Sequence, residues 1–322
     1  MKQLGKDLAF AVVVGMLIPG LLLNAAWAVW NRAVETEREN AARQQNVTVL
    51  PVRLRSVSGT VTEEEMDEYL VGVVLAEMPA SFEPEALKAQ AVVARTYARK
   101  AWETGGKHGD GSVCVSPTCC QGWKSEADYL GQGGREEDIL KVRQAVRSTS
   151  GQVLTYEGSL IEATYFSCSG GRTEDAVAVW GTEFPYLQAV DSPGEEGASC
   201  YTDRVTLSVG EVEHRLGISL TVPPKNWVGD VTYTQGGGVD TIVIGGRYFT
   251  GTEVRALLGL RSTAFSITVQ PDSITVDTRG YGHRVGMSQY GADAMAALGH
   301  TYKDILAHYY QGTELTMVEE QK

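Results

Sequence analysis

Residues 62–100 read TEEEMDEYLVGVVLAEMPASFEPEALKAQAVVARTYARK, and the spacing within this stretch decides the architecture. Thr62-Glu63-Glu64-Glu65 has the form of a capping box, a hydroxyl followed three residues later by a carboxylate, so a helix is predicted to begin there. Met66, Tyr69, Leu70, Val73 and Val74 then recur at helical spacing. This helix must stop near Met78, because Pro79 disfavours the α conformation in the residue before it. Glu77 is thereby placed in the last helical turn. Pro84 suits the first turn of a second helix, whose Leu87, Ala91, Ala94 and Ala98 form an apolar stripe, while Lys88, Arg95 and Arg99 share another face.

On either side the pattern changes. Residues 47–57 are β-branched and alternating enough for a strand. A Gly- and Cys-rich loop occupies 105–122, followed by a helix predicted over 136–148 and a strand pair around 152–166. Strand-like and turn-like segments dominate 205–276, and two short helices, 288–298 and 302–310, close the chain. Helices segregated from a mostly antiparallel β region predict an α+β fold.

No charged residue occurs from position 8 to 30, a run of roughly 34 Å as a helix, long enough to cross a ~30 Å hydrocarbon core. Lys2 and Lys6 precede it and favour a cytoplasmic N-terminus, with Trp27 and Trp30 at the far interface. The competing reading is a cleaved signal peptide, since Ala26-Trp27-Ala28 has the small-x-small form of a cleavage site. In both readings the folded part is exported. The predicted organisation is a cytoplasmic N-terminus (1–7), a transmembrane anchor (8–30), a polar stalk (31–46), an exported folded domain (47–312) with a β-rich subdomain at 203–278, and a tail (313–322).

The 322 residues carry a net charge of −12, with 43% hydrophobic and 21% charged residues, so the chain is an ordinary folded protein with no basic stripe for nucleic acid. An anionic sugar would have to be met by particular cations.

Glu77 is the first candidate for chemistry. A carboxylate at a helix C-terminus feels the negative end of the macrodipole, and burial under Pro79 and Phe82 adds to the cost of ionising it. Both effects favour a protonated acid, the form that can protonate a departing glycosidic oxygen. The plain alternative is a solvated glutamate at a helix end. A second constellation, Arg279-Gly280-Tyr281-Gly282-His283-Arg284-Val285-Gly286-Met287-Ser288-Gln289-Tyr290-Gly291, is a glycine-spaced loop running into a helix. Its rings and polar side chains suit sugar faces and hydroxyls, and it lacks the spacing of a P-loop or a dinucleotide fingerprint. A glycine-rich turn capping a helix is the structural alternative. A third loop, 165–174, leaves a strand and turns sharply. Ser169 in it has no evident base or orienting acid, so a serine hydrolase reading is weak.

The five cysteines divide into two groups. His108, Cys114 and Cys120 are spaced by six, a set suited to one zinc ion, with a disulfide of Cys114 to Cys119 or Cys120 as the alternative in an oxidising compartment. Cys168 and Cys200 lie further on and are candidates to pair with each other.

The segments 68–79 and 85–98, the late motif Gly282-His283-Arg284-Val285-Gly286-Met287-Ser288-Gln289-Tyr290-Gly291 and the closing helix at 302–310 together resemble the stage II sporulation protein D family, in order, over residues 47–312. The resemblance implies a lytic transglycosylase of endospore formers that cuts peptidoglycan glycan strands lacking stem peptides, during engulfment, with Glu77 as catalytic acid. It also implies zinc held by His108, Cys114 and Cys120, with Cys119 as a departure from the pattern that puts the thiol assignment in doubt. Lys88, Arg95, Arg172 and Arg284 are then expected to meet the lactyl carboxylate of muramic acid, and Tyr97, Tyr165, Ser169, His283, Ser288 and Gln289 to bond or stack on sugar. A sporulation amidase and another sporulation membrane protein are the implied partners, at the septal and engulfing membrane.

Overall fold

A computed structural model describes residues 51–318. The predicted anchor and stalk lie outside the described residues, and no helix among the described residues is long and apolar enough to cross a membrane.

Strand β1 (Pro51–Arg55) pairs antiparallel with β2 (Val61–Glu65), which places Thr62–Glu65 in a strand and corrects the expected helix start. The helix cap is Glu65, whose carboxylate accepts the N–H groups of Asp67 and Glu68, so α1 runs Met66–Glu77. Its C-cap, Met78, is extended, as the following proline requires. Helix α2 (Pro84–Thr104) has proline in its first turn and ends on Gly105 at φ 87°, the left-handed cap that glycine adopts without strain. Strand β3 (Ser112–Cys114) then adds to β1 in parallel. After the short α3 (Glu126–Gly131), α4 (Glu136–Ser148) packs on both α1 and α2.

Strand β4 (Gln152–Tyr156) lies against α2 and pairs with β5 (Ser159–Leu160), while β6 (Tyr165–Phe166) takes a partner from far along the chain. Helix α5 (Ala176–Trp180) and a long irregular stretch lead to β7 (Thr202–Ser208), α6 (Val209–Leu216), β8 (Val228–Tyr233), β9 (Val239–Ile244), β10 (Arg247–Thr250), α7 (Gly251–Leu258), β11 (Phe265–Val269) and β12 (Ser273–Arg279). Two antiparallel sheets, β10-β9-β8 and β11-β12-β7, enclose an apolar cluster that includes Leu207, Trp227, Ile244, Phe249, Phe265 and Val276. Helices α6 and α7 are absent from the expectation for this β-rich region.

The chain returns through β13 (Met287–Ser288), parallel to β6, then α8 (Gln289–Ala297) and α9 (Tyr302–Tyr309), both packed on α2. Finally β14 (Glu314–Met317) joins β4, so part of the expected tail belongs to a sheet. The fold is α+β, and α2 is the axis of its main core: Leu87, Ala91, Ala94 and Ala98 are all fully buried.

Candidate functional site around Glu77

Glu77 is the last residue of α1, where the turn enforced by Pro79 aims its carboxylate toward the loop that follows β3. The N–H of Gly122 donates to Glu77 Oε1. Gly122 leaves room for this contact: a Cβ there would stand 2.9 Å from that oxygen and displace it. The same loop is held to α1 at a second point, where Lys124 N–H donates to the Gly72 carbonyl at 3.2 Å and the Trp123 indole covers Gly72.

Gln121 fastens the floor of the site. Its Nε2 donates to the Tyr69 hydroxyl at 3.0 Å and the Ala94 carbonyl at 3.4 Å, and its Oε1 accepts from the Tyr165 hydroxyl at 3.1 Å. Tyr165 also interacts with the Glu77 carboxylate. Burial raises the pKa of Glu77 above the ordinary carboxylate value, against the opposing pull of the Gly122 N–H and the Tyr165 hydroxyl. Burial and the Glu77 charge push the Tyr165 phenol well up, so it stays a donor at neutral pH. Among the described residues, no second carboxylate acts on the ionisation of Glu77.

A thiol-rich cluster adjoins this arrangement in sequence. His108 ends a 3-10 turn, Gly106–His108, flanked by left-handed Gly105 and Gly109, and Cys114 ends β3. Cys119 and Cys120 both donate their N–H to the Ser116 carbonyl, a tight turn that brings their sulfurs round to the histidine. The donor atoms of His108, Cys114, Cys119 and Cys120 all lie within 4.8 Å of one another. This donor set, half-buried and mutually converging, has the chemistry to hold a metal ion. Tyr97 stands beside Cys120, and its phenol is pushed up by burial and by that thiol.

Of the residues expected to bind substrate, the structure brings Tyr165 to Glu77 and Tyr97 to the cysteine loop. It places several others in the scaffold. Arg95 is fully buried and donates to Asp67 at 2.9 Å and to the Val146 and Gln152 carbonyls, bracing α1, α4 and β4. Arg284, only 2% exposed, spends its guanidinium on Glu174 and on the carbonyls of Ser169, Arg172 and Gly236. Both guanidinium groups are enclosed in the core and closed off from a lactyl carboxylate, although Arg95 Nε has no hydrogen-bond partner. Ser169 and Ser288 are buried on the two oxygens of Glu195, at 2.9 and 2.6 Å, and Ser288 also caps α8. Gln289 is buried against Gln90, and Lys88 pairs with Glu85 at 2.5 Å. Arg172 is half-exposed beside Asp191 and bonds the Gln235 carbonyl at 3.2 Å.

His283 lies between the rings of Phe166 and Trp180, with centroids 5.6 and 5.3 Å away. Its Nδ1 accepts the Val285 N–H at 3.1 Å, and burial, with Arg255 nearby, lowers its pKa to about 4. It is therefore neutral at pH 7, with the proton on Nε2. The expected Cys168–Cys200 bridge is not formed, because Cys168 Sγ donates to buried Glu195 at 3.1 Å and Cys200 Sγ accepts from the Ser167 hydroxyl. The reading from sequence alone missed Gln121, Gly122 and Glu195.

Fold and site define an α+β protein with a half-buried glutamate beside a His/Cys loop. A family model described as Stage II sporulation protein matches residues 55–156, the span that holds Glu77, Tyr97, Gln121, Gly122 and all four donors. The chain is 37% identical to Stage II sporulation protein D of Bacillus subtilis (strain 168), over 98% of this chain and 96% of that protein. It is 36% identical to the protein of the same name from Bacillus amyloliquefaciens, with the same coverage. It is also 31% identical to the Amidase enhancer of Bacillus subtilis (strain 168), over 77% of this chain and 40% of that protein. The chain belongs to the stage II sporulation protein D family.

Proposed function

We propose that the protein is a lytic transglycosylase that cuts peptide-free peptidoglycan glycan strands during engulfment, with Glu77 as general acid and then general base. The observation that carries this reading is the environment of Glu77: a carboxyl group whose pKa is raised by burial, held by the Gly122 N–H with Tyr165 beside it, and on whose ionisation no second carboxylate acts among the described residues. Hydrolysis needs a second group to activate water, whereas attack by the C6 hydroxyl of muramic acid on its own C1 does not. Glu77 protonates the glycosidic oxygen as the bond to C1 breaks. The resulting carboxylate then takes the C6 hydroxyl proton as that oxygen bonds C1, leaving a 1,6-anhydro end and a restored acid. The reacting hydroxyl belongs to the same sugar, so its positioning supplies part of the barrier reduction.

In this proposal Tyr165, whose hydroxyl is fixed on Gln121 Oε1 beside the carboxylate, helps to shape its surroundings, and Tyr97, His283 and Arg172 are the remaining candidates to touch sugar. Zinc bound by His108, Cys114 and Cys120 orders the loop that carries Gln121 and Gly122. Residues 8–30 anchor the chain in the membrane, 31–46 form a stalk, and 47–312 form the extracytoplasmic domain, with 203–278 as its β-rich part. The partners are a sporulation amidase and another sporulation membrane protein.

Similarity to a relative named Amidase enhancer favours a second reading, a glycan-binding protein that recruits or activates an amidase and does no chemistry itself. The two are separated by incubating the full chain, in mild detergent, with peptide-free strands. Shortened strands support the transglycosylase; binding without shortening supports the recruiter.

A further inference from the structure

We infer that Cys119 is a fourth ligand, which closes the metal site and makes it a structural clasp with no open position. The inference deepens the zinc reading above and rests on it.

Zinc binds thiolate at about 2.3 Å and imidazole nitrogen at about 2.0–2.1 Å, so a tetrahedral ion imposes ligand separations of about 3.8 Å between sulfurs and about 3.6 Å between sulfur and nitrogen. Here Cys119 Sγ lies 3.9 Å from Cys120 Sγ and 3.8 Å from His108 Nε2, and Cys120 Sγ lies 3.6 Å from the same nitrogen. These are the three edges of one tetrahedral face, and Cys119 supplies one of its corners. Cys114, whose sulfur lies within 4.8 Å of the other three donor atoms, completes the set. The turn explains how adjacent cysteines can share an ion: both N–H groups converge on the Ser116 carbonyl, at 3.1 and 2.9 Å.

Charge supports the same count. Three thiolates and a neutral imidazole around a divalent ion leave one net negative charge, and the Lys107 ammonium sits on the Cys119 carbonyl beside them. Such outer contacts orient and compensate metal ligands. Four protein ligands are the mark of a structural site, whereas catalytic zinc keeps one position for water or substrate. The clasp ends at Cys120, and the next two residues are Gln121, only 1% exposed between Tyr69 and Tyr165, and Gly122, which donates to Glu77. The metal thus acts on Glu77 through the backbone it pins.

The test uses the full chain in detergent, loaded with Co²⁺ in place of zinc. The intensity of thiolate-to-cobalt charge transfer counts sulfur ligands, so Cys119→Ser is expected to lower it by about one third, as Cys114→Ser and Cys120→Ser do. Zinc affinity, measured by competition with a chromophoric chelator, is expected to fall roughly a hundred-fold, about a quarter of the binding free energy of a structural site. Wild-type protein needs no variant for the second measurement: thiocyanate added to the cobalt form is expected to leave the visible bands unchanged. An unchanged charge-transfer band in Cys119→Ser, a wild-type spectrum that shifts with thiocyanate, or a chain that takes up no cobalt would each overturn the inference. None of these readouts depends on glycan cleavage, so failure of the clasp and failure of the transglycosylase reading are scored separately.

Discussion

Gly122→Ala tests how Glu77 is tuned. The added Cβ would stand 2.9 Å from Glu77 Oε1 and 3.3 Å from Cδ, so the flexible end of the Glu77 side chain has to give way. That shift moves the carboxylate off the Gly122 N–H and weakens a hydrogen bond that favours its ionised form. A hydrogen bond to a charged group contributes about 1.5–3 kcal/mol, and 1.36 kcal/mol corresponds to about one pH unit, so the Glu77 midpoint is expected to rise, by about one to two pH units at most if the bond is lost outright. Carboxyl NMR with labelled glutamate, compared against Glu77→Gln for assignment, reads that midpoint directly. If Glu77 is the acid, the alkaline limb of strand cleavage moves up by the same amount, because protonated enzyme persists to higher pH. A midpoint that stays or falls would refute the role assigned to this N–H.

Three further outcomes follow from the same contacts. Glu77 has a folded-state pKa above its unfolded value, so its contribution to stability is fully present below the unfolded pKa and is lost as pH rises through the folded pKa. Glu77→Gln is therefore expected to gain in Tm relative to the parent as pH is raised from 4 to 8, and a pH-independent difference in thermal scans would contradict this. Arg284→Ala leaves Glu174 as an unpaired buried charge and is expected to cost about 3–5 kcal/mol in denaturant unfolding; a loss of glycan affinity with no loss of stability would restore its role as a sugar ligand. Glu195→Gln places an amide N–H₂ among groups that now donate to Glu195, including the Ser169 and Gly170 N–H at 2.8 and 3.0 Å and the Ser192 and Ser288 hydroxyls at 2.7 and 2.6 Å. A cost of about 2 kcal/mol or more is expected, since buried donors lose their acceptor.

The helical half of the fold was legible because its signals are local. Periodicity and two prolines bound α1 and α2, and residues 136–148 form a helix as expected. Thr62–Glu65 misleads because a hydroxyl and a carboxylate three apart also fit a strand, and pairing with β1 decides between them. Helices α6 and α7 each begin with a capping box, Ser208 with Glu211 and Thr250 with Glu253, a signal that was present and was lost among β-branched neighbours. The site divides in the same way. Glu77 stands out because Pro79 fixes its place at a helix end. Gly122 contacts it across 45 residues, and nothing in the local pattern announces that meeting. Arg95 and Arg284 read as cations for a substrate because burial depends on what packs around them, which their spacing does not reveal.

The most direct test of the account is mass spectrometry of the products formed when wild-type chain and Glu77→Gln are each incubated with peptide-free glycan strands, with folding of the variant verified by its thermal transition. The account predicts fragments ending in 1,6-anhydro-muramic acid from the wild type and none from Glu77→Gln. Reducing ends from the wild type, or anhydro ends from a folded Glu77→Gln protein, would contradict it.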